Sequence, residues 1–310
     1  MVIQGAVDPE LTPLCLRSVR ACLPDAQIIL STWEGTDVAK IAADTFVFSE
    51  DPGGHNQALQ AFMMDNDSLR KTGFRLMNNV NRQIVSTQAG IQQADRKYVW
   101  KLRSDVIIQS VNFLHYYGIF DNDGQNPHKF IKNRLLICDL YTRNPRVANL
   151  AFHPSDWTMF GNREDVENYF DIPLLTEDDA KWLLSRPRKW LFMKEMVVRY
   201  TPEQSIFLGF LRKHTTIDYD VYNQINENNI DETELYFANN TVILDYGSMF
   251  AFNFVKFNPQ VSVLRDNIYH FNDWLGLYEH YCLGIRSKKF KEMKKAAKER
   301  RLSKHLRESY

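Results

Sequence analysis

The stretch Tyr98-Val99-Trp100-Lys101-Leu102-Arg103-Ser104-Asp105, followed by Val106-Ile107-Ile108, sets the strongest limit on what this chain can become. Aromatic and β-branched residues run up to a short polar cluster and then resume, the pattern of a buried strand whose carboxyl end carries a functional turn. In an open α/β sheet, ligands bind in the crevice outside the carboxyl ends of the strands. Asp105 therefore stands where a carboxylate can hold a divalent metal against a phosphate. The same residue types allow a plainer role, in which Asp105 caps the following segment or pairs with Arg103.

Strand and helix signals alternate around that stretch. Val2 to Val7 reads as a first strand, and Pro9-Glu10-Leu11-Thr12 opens a helix that Pro24-Asp25 ends. Ala26 to Leu30 reads as a second strand, Val38 to Ala43 as a short helix and Phe46-Val47-Phe48 as a third strand. Together they make a βαβαβ half of a doubly wound sheet. Asp51-Pro52-Gly53-Gly54 follows, a loop that either approaches a nucleotide or is a plain turn. A helix is expected over Met77 to Gln93, with Val80, Ile84, Thr87 and Ile91 on one face and Asn79, Arg82, Gln83 and Ser86 elsewhere. Its amides and arginine suit a sugar diphosphate, and equally an ordinary solvent face.

The second half continues the alternation less regularly. Val111 to Phe120 reads as helix and Phe130 to Leu140 as strand; the loop between them lacks the glutamate of a calcium-binding EF-hand. His153 to Gly161 is strand-like and leads into a helix over Arg163 to Phe170. Residues 171 to 200, rich in Trp, Arg and Lys, look like an inserted binding region. Thr201-Pro202-Glu203-Gln204 is strong helix-start chemistry, which accounts for Glu203 structurally, although a carboxylate there can also face a cleft as a general base. Tyr236 to Leu244 and Phe250 to Phe257 read as strands, and Asn267-Ile268-Tyr269-His270-Phe271 precedes the final helices.

With 310 residues, 44% of them hydrophobic, the chain can bury a sizeable core. Its first residues do not form a signal peptide, and no run approaches the about 18 apolar residues of a membrane span. Cys15, Cys22, Cys138 and Cys282 show no metal-ligand spacing, as expected of a reduced, cytoplasmic protein. The zero net charge hides an asymmetry: residues 286–310 hold eleven Lys or Arg and three Glu, a +8 tail on a body of −8. Such a tail fits a weakly amphipathic basic helix on an anionic membrane surface, with Phe290 and Met293 adding apolar contact, or a solvated helix. The acidic body argues against nucleic acid.

Ile3-Gln4-Gly5, Ile29-Leu30-Ser31-Thr32-Trp33, Asp51-Pro52-Gly53, Asn81-Arg82-Gln83-Ile84-Val85-Ser86-Thr87 and Lys101-Leu102-Arg103-Ser104-Asp105, in that order, resemble the WavE family of lipopolysaccharide-synthesis proteins. The resemblance covers most of the chain to about Leu211. That family looks like a branch of the GT-A glycosyltransferases, which implies an α/β fold: a GT-A-like, Rossmann-type mixed sheet flanked by helices. Residues 1–285 would form the transferase domain, 1–110 binding nucleotide-sugar and 111–285 supplying the acceptor half, with 286–310 as a basic helical tail. The implied function is transfer of a sugar from a nucleotide-sugar to a lipopolysaccharide, capsule or related bacterial surface glycan, on the inner face of the inner membrane.

The resemblance also implies roles. Mn²⁺ or Mg²⁺ would sit on a DxD-type motif, here Arg103-Ser104-Asp105 with one acid, so that Asp105 holds the metal with His270 as second ligand. Arg103 stands where a first aspartate would, and could itself neutralise a phosphate. Gln4, Asp51, Asn79, Arg82, Gln83, Arg103 and Ser104 would bind the nucleotide and its diphosphate. Asp156 and Trp157 would line the sugar and acceptor cleft, and Glu203 would be the base of an inverting transfer. Two other classes compete. A sugar nucleotidyltransferase would want a glycine-rich loop after the first strand, where only Gly5 is present. A non-catalytic membrane or nucleic-acid adaptor would leave the polar cluster at Asp105 unexplained.

Overall fold

A computed structural model describes residues 1–54, 79–121, 124, 126–176, 178–179, 182, 199–253 and 267–308, with side chains to residue 301. In chain order the elements are β1 (Val2–Gln4), α1 (Leu11–Cys22), β2 (Ile29–Trp33), β3 (Thr45–Ser49), α2 (Val80–Gln92), β4 (Tyr98–Arg103) and β5 (Ile107–Ile108). A 3₁₀ turn at Asn112–Tyr116 leads to β6 (Leu135–Cys138), α3 (Pro145–Ala148), β7 (Thr158–Asn162) and α4 (Arg163–Phe170). The chain ends with α5 (Pro202–Arg212), α6 (Glu227–Asn240), β8 (Thr241–Leu244), β9 (Phe252–Asn253), α7 (Phe271–Tyr281) and α8 (Lys288–Glu308).

Seven strands form one mixed sheet in the order β3-β2-β1-β4-β7-β6-β8, flanked by helices, so the fold is of the expected GT-A-like α/β class. Parallel pairing of β1 with β2 and β4, of β2 with β3 and of β6 with β8, with β7 antiparallel to β4 and β6, makes β7 the one reversed strand of this sheet. The carboxyl ends of β1, β4, β6 and β8 therefore share an edge with the amino end of β7. Everything chemical described below lies along that edge.

Helix α2 covers β1 and β2 with Val80, Ile84, Thr87 and Ile91, the face that its periodicity marks. Gly90 lets it come close, since a Cβ there would lie 2.5 Å from Val2 Cγ1. Ser86 departs from expectation: it is fully buried, and its hydroxyl donates to Gln4 Oε1 at 2.8 Å.

Several expected elements differ. Val2 to Val7 is strand only to Gln4, because Gly5 turns the chain at φ 116°, a conformation that disfavours any side chain. Val38 to Ala43 is turns rather than helix. That connection is fastened by Asp44, whose carboxylate takes Arg20 and the Ile28 N–H, and six residues are too few to hold a helix alone. Only Asn112–Tyr116 of the expected Val111–Phe120 helix coils. Tyr236 to Leu244 divides, with α6 running to Asn240 on the buried face Ile230, Thr233, Glu234 and Phe237 before β8 begins. Most of the expected binding region at 171–200, and 254–257 of the last strand, lie outside the described residues.

Helix α8 packs on α7 and α3, with Phe290, Met293 and Ala297 all buried. Phe290 stacks on His280 at 4.1 Å, and Gly276 allows the crossing, since a Cβ there would stand 2.8 Å from the Phe290 nitrogen. Phe290 and Met293 thus serve the core and are not presented to a lipid surface. Among the described residues no helix is long and apolar enough to cross a membrane.

Candidate functional site

The strand order turns between β1 and β4: β2 and β3 lie to one side of β1, β4 to the other. Crevices of open α/β sheets open at such switch points, and a cleft of about 780 Å³ opens here. Gln4, Asp51, Asn79, Arg82, Gln83, Arg103, Ser104, Asp105, Asp156, Trp157 and Glu203 all line it, together with Gly5, Asp8, Trp33 and Tyr141. Of the residues singled out from sequence, His270 alone stands outside that lining.

Two arginine–aspartate clamps shape the walls. Arg82 donates from Nε and Nη2 to the two oxygens of Asp51, each at 2.7 Å, and from Nη1 to Asn79 Oδ1 at 3.0 Å. The guanidinium holds the Asp51 carboxyl below its usual range. Arg103 donates to Asp105 in the same forked way, at 2.9 and 2.8 Å. The Arg103 guanidinium also lies 4.3 Å over the Trp157 ring, Trp157 stacks on Tyr141 at 5.7 Å and 8°, and Arg143 caps the pile 5.3 Å from the Tyr141 ring. Such stacking of cation on ring fixes a guanidinium that would otherwise be flexible. Tyr141 pays for its place with a left-handed backbone, φ 66°, the kind of strain that gathers at functional sites.

Gln4, Gln83 and Ser104 serve mainly to hold this frame. Ser104 donates to the Ala6 carbonyl at 2.6 Å, tying the turns after β1 and β4 together. Gln83 donates to the Asp156 carbonyl at 3.2 Å, and Lys101 Nζ donates to the same oxygen from beneath. Lys101 is fully buried in the middle of β4, and burial lowers its pKa to about 8.

The opposite wall carries acid. Glu203 sits in the first turn of α5, whose amino end is closed by a capping box between Thr201 and Gln204. Because those two residues satisfy the helix end, Glu203 is left to face the cleft. Burial raises its pKa; burial, then the nearby Glu203 charge, raises that of Asp156. His153, buried behind, places Nε2 3.5 Å from Glu203 Oε2. Burial and the Arg143 charge lower its pKa to about 3, so it is neutral at physiological pH. Paired carboxyls with raised proton affinity, beside fixed cations and an open cleft, form a proton-accepting site.

The expected metal pair of Asp105 and His270 is not assembled. Both Asp105 oxygens are engaged by Arg103, whereas a divalent ion of this class wants several oxygen ligands of its own. His270 stands instead with Asp139 and Asp245, at the ends of β6 and β8. Its Nδ1 is 3.0 Å from Asp139 Oδ2 and 3.7 Å from Asp245 Oδ1, and the two carboxylates raise its pKa to about 10. Without a metal, a protonated imidazole between two aspartates is an ion-pair clamp; with that proton displaced, the same three ligand atoms, all within 4.8 Å of one another, could hold a cation.

Lys101, Tyr141 and His153 were missed as functional residues. A lysine inside an otherwise apolar strand signals a buried charge with a purpose, so Lys101 was detectable. The left-handed turn at Tyr141 and the approach of His153 to Glu203 have no local signature.

No curated protein matches the chain. A family model described as WavE lipopolysaccharide synthesis matches residues 1–307, a span that includes every residue of the cleft, and the chain belongs to that family.

Proposed function

We propose that this chain is a glycosyltransferase that moves a sugar from a nucleotide-sugar to a lipopolysaccharide, capsule or related surface-glycan acceptor. The observation that carries the reading is the meeting of Glu203 and Asp156 with Arg103 and Arg82 in one cleft at the switch point of the sheet. The donor's nucleotide lies toward β1, β2 and Arg82, and its diphosphate toward Arg103. Arg103 is held in place beforehand by Asp105 and Trp157, so it answers developing charge without reorganising.

Glu203 accepts the proton of an acceptor hydroxyl as that oxygen attacks the anomeric carbon. The new carbon–oxygen bond forms as the bond to the diphosphate oxygen breaks, and the nucleoside diphosphate leaves with one more negative charge, which the arginines offset. Displacement in line from the face opposite the leaving group inverts the anomeric centre. Burial makes the Glu203 carboxylate a stronger base than an exposed one. Asp156, whose own proton affinity the Glu203 charge raises, positions the sugar or acceptor.

The test is a thermal-shift screen of UDP-, GDP-, CMP- and dTDP-sugars, with and without Mn²⁺, followed by transfer assays with the stabilising donor. One donor class should raise the melting temperature and be consumed with release of its nucleotide, a nucleoside diphosphate from UDP-, GDP- or dTDP-sugars or CMP from a CMP-sugar. Stabilisation by a nucleoside triphosphate and sugar phosphate, with pyrophosphate as product, would establish a nucleotidyltransferase instead. No stabilisation by any donor, with or without Mn²⁺, would overturn both.

A further inference from the structure

Helix α8 has two unlike sides. Phe290, Met293 and Ala297 are buried against the body, while Lys288, Lys291, Lys294, Lys295 and Lys298 are exposed. At 3.6 residues per turn these lysines form a stripe along one flank of the helix, about 15 Å long, running from Lys288 and Lys295 nearly opposite Phe290 round to Lys294, whose Nζ lies 5.4 Å over the Phe290 ring. Glu292 and Glu299 share that outer side and approach Lys288 and Lys295 at 3.5 and 4.0 Å. Exposed pairs of that kind are weak and readily exchanged for other anions. In the turn that enters the helix, Leu283 and Ile285 are 44% and 51% exposed, beside Arg286. A docked helix with a lysine row outward, ending in two uncovered aliphatic side chains, is not accounted for by folding.

We infer that this face is a docking surface for an anionic phospholipid membrane. The lysine row supplies attraction to headgroup phosphates, and Leu283 and Ile285 reach the acyl boundary at one end of the row. The −8 remainder of the chain is repelled by the same surface, so the protein binds in one orientation, with α8 toward the lipid. The apolar pair is what favours lipid over a nucleic-acid phosphate backbone, which offers no acyl layer to receive it. Because Phe290 and Met293 are buried against the body, attachment is chiefly electrostatic and reversible by salt.

The experiment is co-sedimentation of the full chain with phosphatidylglycerol-rich vesicles and with pure phosphatidylcholine vesicles, at low and high salt. Comparison variants carry Lys→Gln at positions 288, 291, 294, 295 and 298, Lys→Arg at the same five, or Leu283→Ser with Ile285→Ser. All substituted side chains are exposed, so melting temperatures should match the parent. The full chain should bind phosphatidylglycerol vesicles at low salt and release them at high salt. Each engaged lysine contributes about a fivefold factor, so the Gln variant should lose on the order of 10²-fold or more in partitioning. The Arg variant should bind like the parent, and the Ser pair should lose a smaller factor.

Equal binding by the parent and the Gln variant, no binding of the parent to anionic vesicles at low salt, or equal binding to phosphatidylcholine would overturn the inference. Preferential capture of duplex DNA over vesicles in competition would do the same. None of these measurements depends on sugar transfer, so their failure would leave the proposed reaction untouched.

Discussion

Two clusters of aspartate and cation lie along the same sheet edge and differ in how fully they are paired. In the clamp, His270 sits between Asp139 and Asp245, and backbone donors add to the pairing: Tyr246 N–H on Asp139 and Phe271 N–H on Asp245. In the cleft, the two arginines are paired with aspartates, but Glu203 and Asp156 line the same cavity with raised proton affinity. Both clusters use the same residue types. A satisfied cluster fastens β6, β8 and α7, whereas an under-compensated one retains proton affinity to spend on a substrate.

The largest effect that would sharpen this contrast is expected at Glu203. Glu203→Gln should leave donor binding and melting temperature near the parent, because Thr201 and Gln204 still cap α5, while turnover falls by about 10²- to 10⁴-fold. Steady-state kinetics beside a donor-induced melting shift separates the two, and unchanged turnover would make Glu203 a helix-start residue only. Asp105→Asn should come next. Losing a charged fork to Arg103 costs about 1.5–3 kcal/mol of positioning, or about 10- to 10²-fold in turnover, with donor affinity weakened as well. A fully active Asp105→Asn enzyme would show that Arg103 does not need this partner.

His270→Asn probes the other cluster and should touch stability alone. The folded pKa is raised from 6.5 to about 10, so the stabilisation is complete below pH 6.5 and is lost as pH rises through about 10. The side chain is 38% exposed and solvent screens the pair, which brings the contribution to about 1–2 kcal/mol. Chemical denaturation of parent and variant across this range should show a gap that closes at the alkaline end, with donor binding unchanged at neutral pH. A loss of donor binding in the variant would break the distinction between clamp and cleft.

How far sequence reaches differs in the same way. The strands that carry the cleft, β1 to β4, have strong period and β-branched content, so their order and the residues at their ends could be read directly. Eleven expected residues converge in the cleft because each lies within two residues of a strand end or at the first turn of α2 or α5. His270 was expected beside Asp105, whereas the partners it meets lie 131 and 25 residues away, at the ends of β6 and β8, and nothing local encodes that meeting. Tyr236 to Asn240 read as strand because aromatic residues suit either state. The buried stripe from Ile230 to Phe237 makes it helix. Phe290 and Met293 were legible as an apolar face, but a face seen in sequence does not say whether lipid or α7 covers it.

The smallest expected effect tests what keeps the cleft's acids usable. Lys101 lies under Asp156, holds its carbonyl and, by its charge, lowers the proton affinity that burial raises in that carboxyl. Lys101→Met is close in length, lies entirely inside the core and removes a cation that is costly to bury, so stability should change little. The cation's removal should let the Asp156 pKa climb further, and Glu203 should also rise because it loses the attraction of the same cation. The acid limb of the transfer rate should then move to higher pH, while the rate on the alkaline plateau stays within a few-fold of the parent. Parent Lys101 itself titrates near 8, so the plateau of the parent should sag above that pH and that of the variant should not. Coincident pH profiles would mean that the lysine only fills and fastens β4, and that proton affinity in the cleft is set by burial alone.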